Sequence, residues 1–135
     1  QTTYLFDETI EDNLRIAKPD ATQEEIEAAC RMASVHEFIL SLPDGYKTRV
    51  GALGDNLSAG EKQRIGLARA FLRGSEWILL DEPTSNVDSI NEGIILKALQ
   101  EQKRKKSILL VSHRESTMAI ADRIYRVKDG RMAEI

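Results

Sequence analysis

Two short apolar runs constrain this chain more than any other feature. Trp77-Ile78-Leu79-Leu80 stops against Asp81-Glu82-Pro83, and Ser107-Ile108-Leu109-Leu110-Val111 stops against Ser112-His113. Unbroken apolar runs of this length predict strands buried on both faces of a parallel sheet, since a half-exposed strand would alternate. Between them Ile90, Ile94, Ala98 and Leu99 recur at helical spacing, so a helix with these residues inward is expected. Strand, helix, strand is the βαβ unit, and the fold class is read as α/β with a parallel sheet core.

Helix starts are marked by one device, a Ser or Thr whose oxygen takes a free backbone N–H and a Glu three residues later that reaches back. Thr22/Glu25, Ser34/Glu37, Ser58/Glu61 and Ser89/Glu92 all have this form. After the first, Ile26, Ala29, Cys30 and Ala33 share a face, which makes Cys30 a core residue. The second segment carries Phe38, Ile39 and Leu42 and stops at the turn signal Pro43-Asp44-Gly45. The third buries Ile65, Ala68, Phe71 and Leu72 and ends at Gly74. Near the end of the chain, Asp129-Gly130 between Ile124–Lys128 and Arg131–Ile135 predicts a hairpin with a two-residue turn.

Composition narrows the class. The 135 residues carry a net charge of −3 and 41% hydrophobic side chains, enough for one core. No apolar stretch reaches the roughly 18 residues that a membrane-spanning helix needs. A single cysteine excludes an intrachain disulfide framework, and no charged-then-apolar leader stands at the start, so a reducing, cytoplasmic setting is the default. Gln1 in place of methionine suggests a piece of a longer protein. Residues 1–60 sum to −6 and residues 61–135 to +3, a split that hints at two subregions. The basic run Lys103-Arg104-Lys105-Lys106 is read as the cationic end of a helix rather than a nucleic-acid patch. No aromatic residues interleave with it to stack bases.

Ligand chemistry in open parallel sheets collects at the carboxyl ends of strands, where Asp81, Glu82 and His113 stand. Adjacent acids there suit phosphoryl transfer: one carboxylate can hold magnesium while the next orients and deprotonates water. His113 is placed to reach a terminal phosphate. Ser58 and Gly60 open a helix, where free N–H groups, a hydroxyl and the positive end of the dipole favour an anion. Each signal alone also fits a cap or a structural histidine.

Taken in order, LSAGEKQRIGLARAFL, WILLDEPTSNVD, SILLVSHRE and ADRIYRVKDGRM resemble the ATP-binding-cassette (ABC) ATPase domain, from its signature motif through its Walker B strand, D-loop and histidine switch. The opening QTTYLFDETIEDNL is similar to that family's Q-loop and the segment after it. The resemblance implies a partial P-loop NTPase domain with a helical subdomain at about 20–57, the signature at 57–61, a core at 58–135 and the C-terminal hairpin. It implies ATP and Mg2+ as ligands. Asp81 would help hold magnesium, Glu82 would be the general base, and His113 would contact the γ-phosphate. Gln1 would sense magnesium and the attacking water and link to the membrane domain. Ser58, Gly60 and Glu61 would lie at the γ-phosphate of ATP held by a second, head-to-tail ATPase domain, and Asp88 would couple the two sites. Thr22 to Arg49 would dock on a transmembrane permease domain fused upstream, at the cytoplasmic face of the membrane.

Thr9-Ile10-Glu11-Asp12-Asn13-Leu14 and Leu42-Pro43-Asp44-Gly45-Tyr46 resemble exporters with fused membrane and ATPase domains. Three positions depart from the family pattern: Ala59 for a glycine, Glu61 for a glutamine, and Ala52 where an acid is common. No Gly-Lys pair occurs, so the phosphate-cradling loop that precedes the Q-loop is absent from this sequence. The parent is therefore expected to hydrolyse ATP, and the fragment alone to be inactive and to self-associate through exposed strand edges. No nucleic-acid partner is expected. The competing readings are an ABC-type ATPase of DNA repair or translation, which salt-dependent nucleic-acid affinity would mark, and a non-catalytic structural fragment.

Overall fold

A computed structural model describes residues 4–53 and 57–135, apart from the side chains of Ala52 and Leu53. Gln1 and the side chain of Ala52 thus lie outside the described residues. The chain forms α1 (Ile10–Arg15), α2 (Gln23–Met32), α3 (His36–Ser41), a 3-10 turn (Gly45–Lys47) and α4 (Val50–Leu53). There follow α5 (Ala59–Arg73), β1 (Trp77–Asp81), α6 (Ser89–Gln102), β2 (Ser107–Val111), α7 (Glu115–Met118), β3 (Tyr125–Lys128) and β4 (Arg131–Glu134).

The βαβ unit is present. β1 and β2 pair in parallel, Trp77 opposite Ser107 and Asp81 opposite Val111, with α6 as the crossover. β3 and β4 pair antiparallel with Lys128 opposite Arg131, and Asp129 and Gly130 both have positive φ, 54° and 74°, as a type I′ turn requires.

In the helical region, Thr22 and Glu25 form both halves of the capping box at the start of α2. Ile26, Ala29, Cys30 and Ala33 are all buried, as their spacing predicts. α2 packs on α5, whose buried side is Ile65, Leu67, Ala68, Phe71 and Leu72. Ser58 accepts from the Glu61 N–H at its start, and Gly74, at φ 75°, ends it. Removing Ile65 from water on this face contributes about 2 kcal/mol. The same core includes Ile10 and Leu14 of α1, Ile39 of α3, and Ile95 and Leu99 of α6, and both α1 and α6 pack on α5.

Four expectations are corrected. Ser34 does not cap α3; it ends α2. Its N–H donates to Arg31 O (3.0 Å) and that of Val35 to Cys30 O (2.9 Å), the paired bonds of a Schellman closure. Ser34 sits at φ 57°, where glycine is usual, and α3 begins with no side-chain cap. At α6 the cap is Asp88 rather than Ser89, because the Asp88 carboxylate accepts from Asn91 N at 2.7 Å. The inward face of α6 is set by Ile95, Leu96, Ala98, Leu99 and Gln102, while Ile90 is 75% exposed and Ile94 half-buried.

Finally, the strands are covered on one face only. Ile78 is buried and Leu80, Ile108 and Leu110 are partly so, whereas Trp77 is 71% and Leu79 67% exposed, with Leu109 and Val111 also exposed. Helices cover one side of the pair among the described residues, and a parallel sheet needs cover on both.

Candidate functional site

Strand register creates the site. Because Asp81 lies opposite Val111, the loops leaving β1 and β2 emerge side by side. The ladder extends one step further, with the Glu82 N–H donating to Val111 O at 2.8 Å. Glu82 is held there at φ 50°, a conformation costly for a residue with a Cβ. Its carboxylate approaches His113, with Oε1 3.4 Å from Nε2. The Glu82 side chain is 13% exposed and that of His113 96% exposed, so a shielded carboxylate faces an imidazole open to solvent. Asp81, the last residue of β1, is exposed beside them.

The loop after Glu82 is anchored from three sides. Ser85 N donates to Glu82 O, the Gln63 side chain of α5 donates to Pro83 O (3.2 Å), and Arg114 donates to Thr84 O (2.7 Å). Pro83 and Thr84 are buried.

A second cluster joins the starts of α5 and α6. Ser58 is exposed, its hydroxyl 3.3 Å from the Glu61 N–H that it accepts, and Glu61 is half-buried. Gly60 is buried against the side chain of Asn91. Asn91 in turn donates to Asp88 through its backbone N–H and its amide, at 2.7, 3.1 and 3.2 Å. Those bonds hold the Asp88 carboxyl below its ordinary range. Arg64 lies close by, pushed down by burial and drawn back up by Glu61 and Asp88; it donates to Ser34 O.

The predicted residues therefore fall into two groups. Asp81, Glu82 and His113 meet at the strand ends, while Ser58, Gly60, Glu61 and Asp88 gather at two helix starts. Sequence reasoning missed Asn91, Gln63 and Arg114. Arg114 follows His113 directly in the SHRE string, yet no spacing rule connects it to Thr84 or Glu92. The cationic run is partly consumed by the fold: Lys103 reaches Ile120 O and Asp122, and Lys106 reaches Ser75 O. A groove of about 500 Å³ opens elsewhere, between the end of α1, α5 and β1, lined by Ile16, Arg69, Arg73, Trp77 and Leu79.

Among the described residues no group of three or more His, Cys, Asp or Glu could cage a metal. A solvent-exposed carboxylate at a strand end nonetheless suits magnesium, which is commonly held by one or two carboxylates together with substrate phosphates and water. Asp81 fits that donor set.

Residues 1–85 match the family model for ABC transporters. A probable ABC transporter ATP-binding/permease protein of Haemophilus influenzae is 61% identical over 133 residues, covering 98% of this chain and 24% of that protein. The putative multidrug export ATP-binding/permease protein YgaD of Bacillus subtilis is 47% identical over 135 residues, covering 100% of the chain and 23% of that protein. Multidrug resistance protein pgp-1 of Caenorhabditis elegans is 44% identical over 135 residues, covering 100% of the chain and 10% of that protein. The chain spans about a quarter or less of the length of these relatives.

The parallel pair with its crossover helix, the helical region and the C-terminal hairpin are those of a partial ABC ATPase domain. The chain belongs to the ABC transporter family. No helix among the described residues is long and apolar enough to cross a membrane.

Proposed function

We propose that this chain supplies the water-activating half of an ATP-hydrolysing domain in a longer exporter, together with the signature element that closes on a second domain's ATP. The observation that supports it best is the 3.4 Å approach of Glu82 to His113 at neighbouring strand ends. Glu82 accepts a proton from water as the water oxygen bonds to the γ-phosphorus and the bond to the bridging oxygen of ADP breaks. ADP and inorganic phosphate are the products. His113 donates to a γ-phosphate oxygen, and its exposure leaves it free to do so. Asp81 would hold a magnesium ion, which supplies charge neutralisation at the phosphate oxygens.

Ser58, Gly60 and Glu61 lie at the start of α5, a helix of 15 residues, where N–H groups and dipole favour the γ-phosphate of an opposing site. Asp88 couples the two sites, and Gln1 links them to the permease domain. Residues 20–57 form the helical subdomain that docks on that permease, and 58–135 the catalytic core, at the cytoplasmic face of the membrane. The relatives, named as ATP-binding/permease proteins and in one case for multidrug export, support this function. Lacking a phosphate-cradling loop, the fragment by itself neither binds ATP tightly nor turns it over.

The test is Glu82→Gln in the longer protein, a change that removes the base and keeps the volume. Phosphate release should fall at least about a hundredfold while ATP stays bound. Hydrolysis at the unmodified rate would refute the assignment.

A further inference from the structure

Arg114 makes three contacts, two within the loops that carry Glu82 and His113 and one to α6. Its backbone N–H donates to Ser112 Oγ at 3.0 Å, tightening the turn that carries His113. One arm of its guanidinium, Nη1, donates to Thr84 O at 2.7 Å, two residues beyond Glu82. The other, Nη2, lies 2.8 Å from Glu92 Oε2 on α6, one turn inside the Asp88 cap. Thr84 is 1% exposed and the Glu92 side chain 15%, so the fork reaches into shielded ground while its own side chain stays 41% exposed.

This arrangement matters because, among the described residues, no side-chain hydrogen bond secures the Glu82 carboxylate or the His113 imidazole. His113 stands almost wholly in solvent, and its position follows from the backbone of Ser112 to Arg114. Glu82 occupies a left-handed conformation that persists only where its surroundings enforce it. We propose that Arg114 is a positioning residue that clamps the β1 and β2 loops to α6 and so sets the spacing between Glu82 and His113. The inference rests on the function proposed above. The guanidinium donates to Thr84 O through one nitrogen while the other pairs in charge with the Glu92 carboxylate, and a lysine ammonium, a single point charge, does not reproduce that two-ended arrangement.

The test uses the longer protein that carries this chain, with steady-state ATP hydrolysis as the readout. Arg114→Ala should lower kcat about ten- to a hundredfold, the scale of a misplaced catalytic group, and leave KM for Mg-ATP within about twofold. Arg114→Lys, which keeps the charge opposite Glu92, should recover part of the loss, and Glu92→Gln should show a smaller loss of the same kind. Because Arg114 acts through Glu82, adding Arg114→Ala to Glu82→Gln should lower the residual rate no further.

A kcat within about twofold of the unmodified protein for Arg114→Ala would overturn the proposal, as would an undiminished further loss in the Glu82→Gln background. Should Arg114→Ala fail to fold, Arg114→Lys and Glu92→Gln decide the matter: full kcat in both overturns it, and reduced kcat with unchanged KM supports it. Full hydrolysis by Glu82→Gln alone would instead defeat the underlying function and this inference with it.

Discussion

Gly60 packs so closely against Asn91 that a Cβ on the glycine would lie 2.2 Å from the Asn91 Cγ and 2.4 and 2.5 Å from its amide oxygen and nitrogen. The Asn91 amide cannot simply swing away, because it bonds to both oxygens of Asp88. A glycine in the LSAG string is thereby fixed by contact with the next helix, independently of any nucleotide.

Gly60→Ala should therefore destabilise the chain by about 1–3 kcal/mol, the usual cost of overpacking a filled site. Adding Asn91→Ala should restore most of the loss, since it removes the atoms that clash. Thermal or urea unfolding of the single and double variants measures this, and additive losses would contradict it.

Ser34 ends α2 in the left-handed conformation, where a Cβ costs roughly 1 kcal/mol. Ser34→Gly relieves that strain and keeps the backbone bonds to Arg31 O and Cys30 O. The variant should be more stable by about 0.5–1 kcal/mol after the greater freedom of glycine in the unfolded chain is deducted. A lower urea midpoint would count against the Schellman assignment.

The Glu25 carboxyl is held down from 4.5 to about 2, first by its bond to Lys18 and next by the Thr22 N–H of the capping box. A value lowered on folding means that the ionised form stabilises the folded chain. That contribution is complete above about pH 4.5 and is lost as pH falls through about 2. Glu25→Gln should thus flatten the fall of thermal midpoint with acidification in this window. Parallel acid limbs in the two proteins would show that the carboxylate has no such role.

Trp77 and Leu79 of β1, with Leu109 and Val111 of β2, leave an apolar face uncovered. Patches of this kind drive association. The isolated chain should sediment as a concentration-dependent oligomer, and Trp77→Lys with Leu79→Lys should shift it toward monomer. Sedimentation of the unmodified chain as a monomer at high concentration would refute the prediction.

Much of the fold was legible because the signals are local. The Thr22/Glu25 box, the Ser58 cap, the buried stripe through Ile26 and Cys30, and the Asp129-Gly130 turn each depend on residues within a few positions of one another. The same rules misread Ser34 and Ser89. Ser34 was needed to close the helix behind it, and Asp88 offered a carboxylate one position before Ser89 that binds Asn91 twice over.

What the sequence by itself determined was the βαβ unit, the helices α2, α3 and α5, the C-terminal hairpin and the identity of the strand-end residues, because turn chemistry and apolar periodicity act over short stretches of chain. Only the tertiary structure decided which of those residues meet. The parallel register of β1 and β2 sets Glu82 against His113, helix packing seats Gly60 on Asn91, and Arg114 finds Thr84 and Glu92 across two loops. Encounters between residues far apart in the chain follow from strand register and core packing, and neither leaves a periodic mark in the sequence.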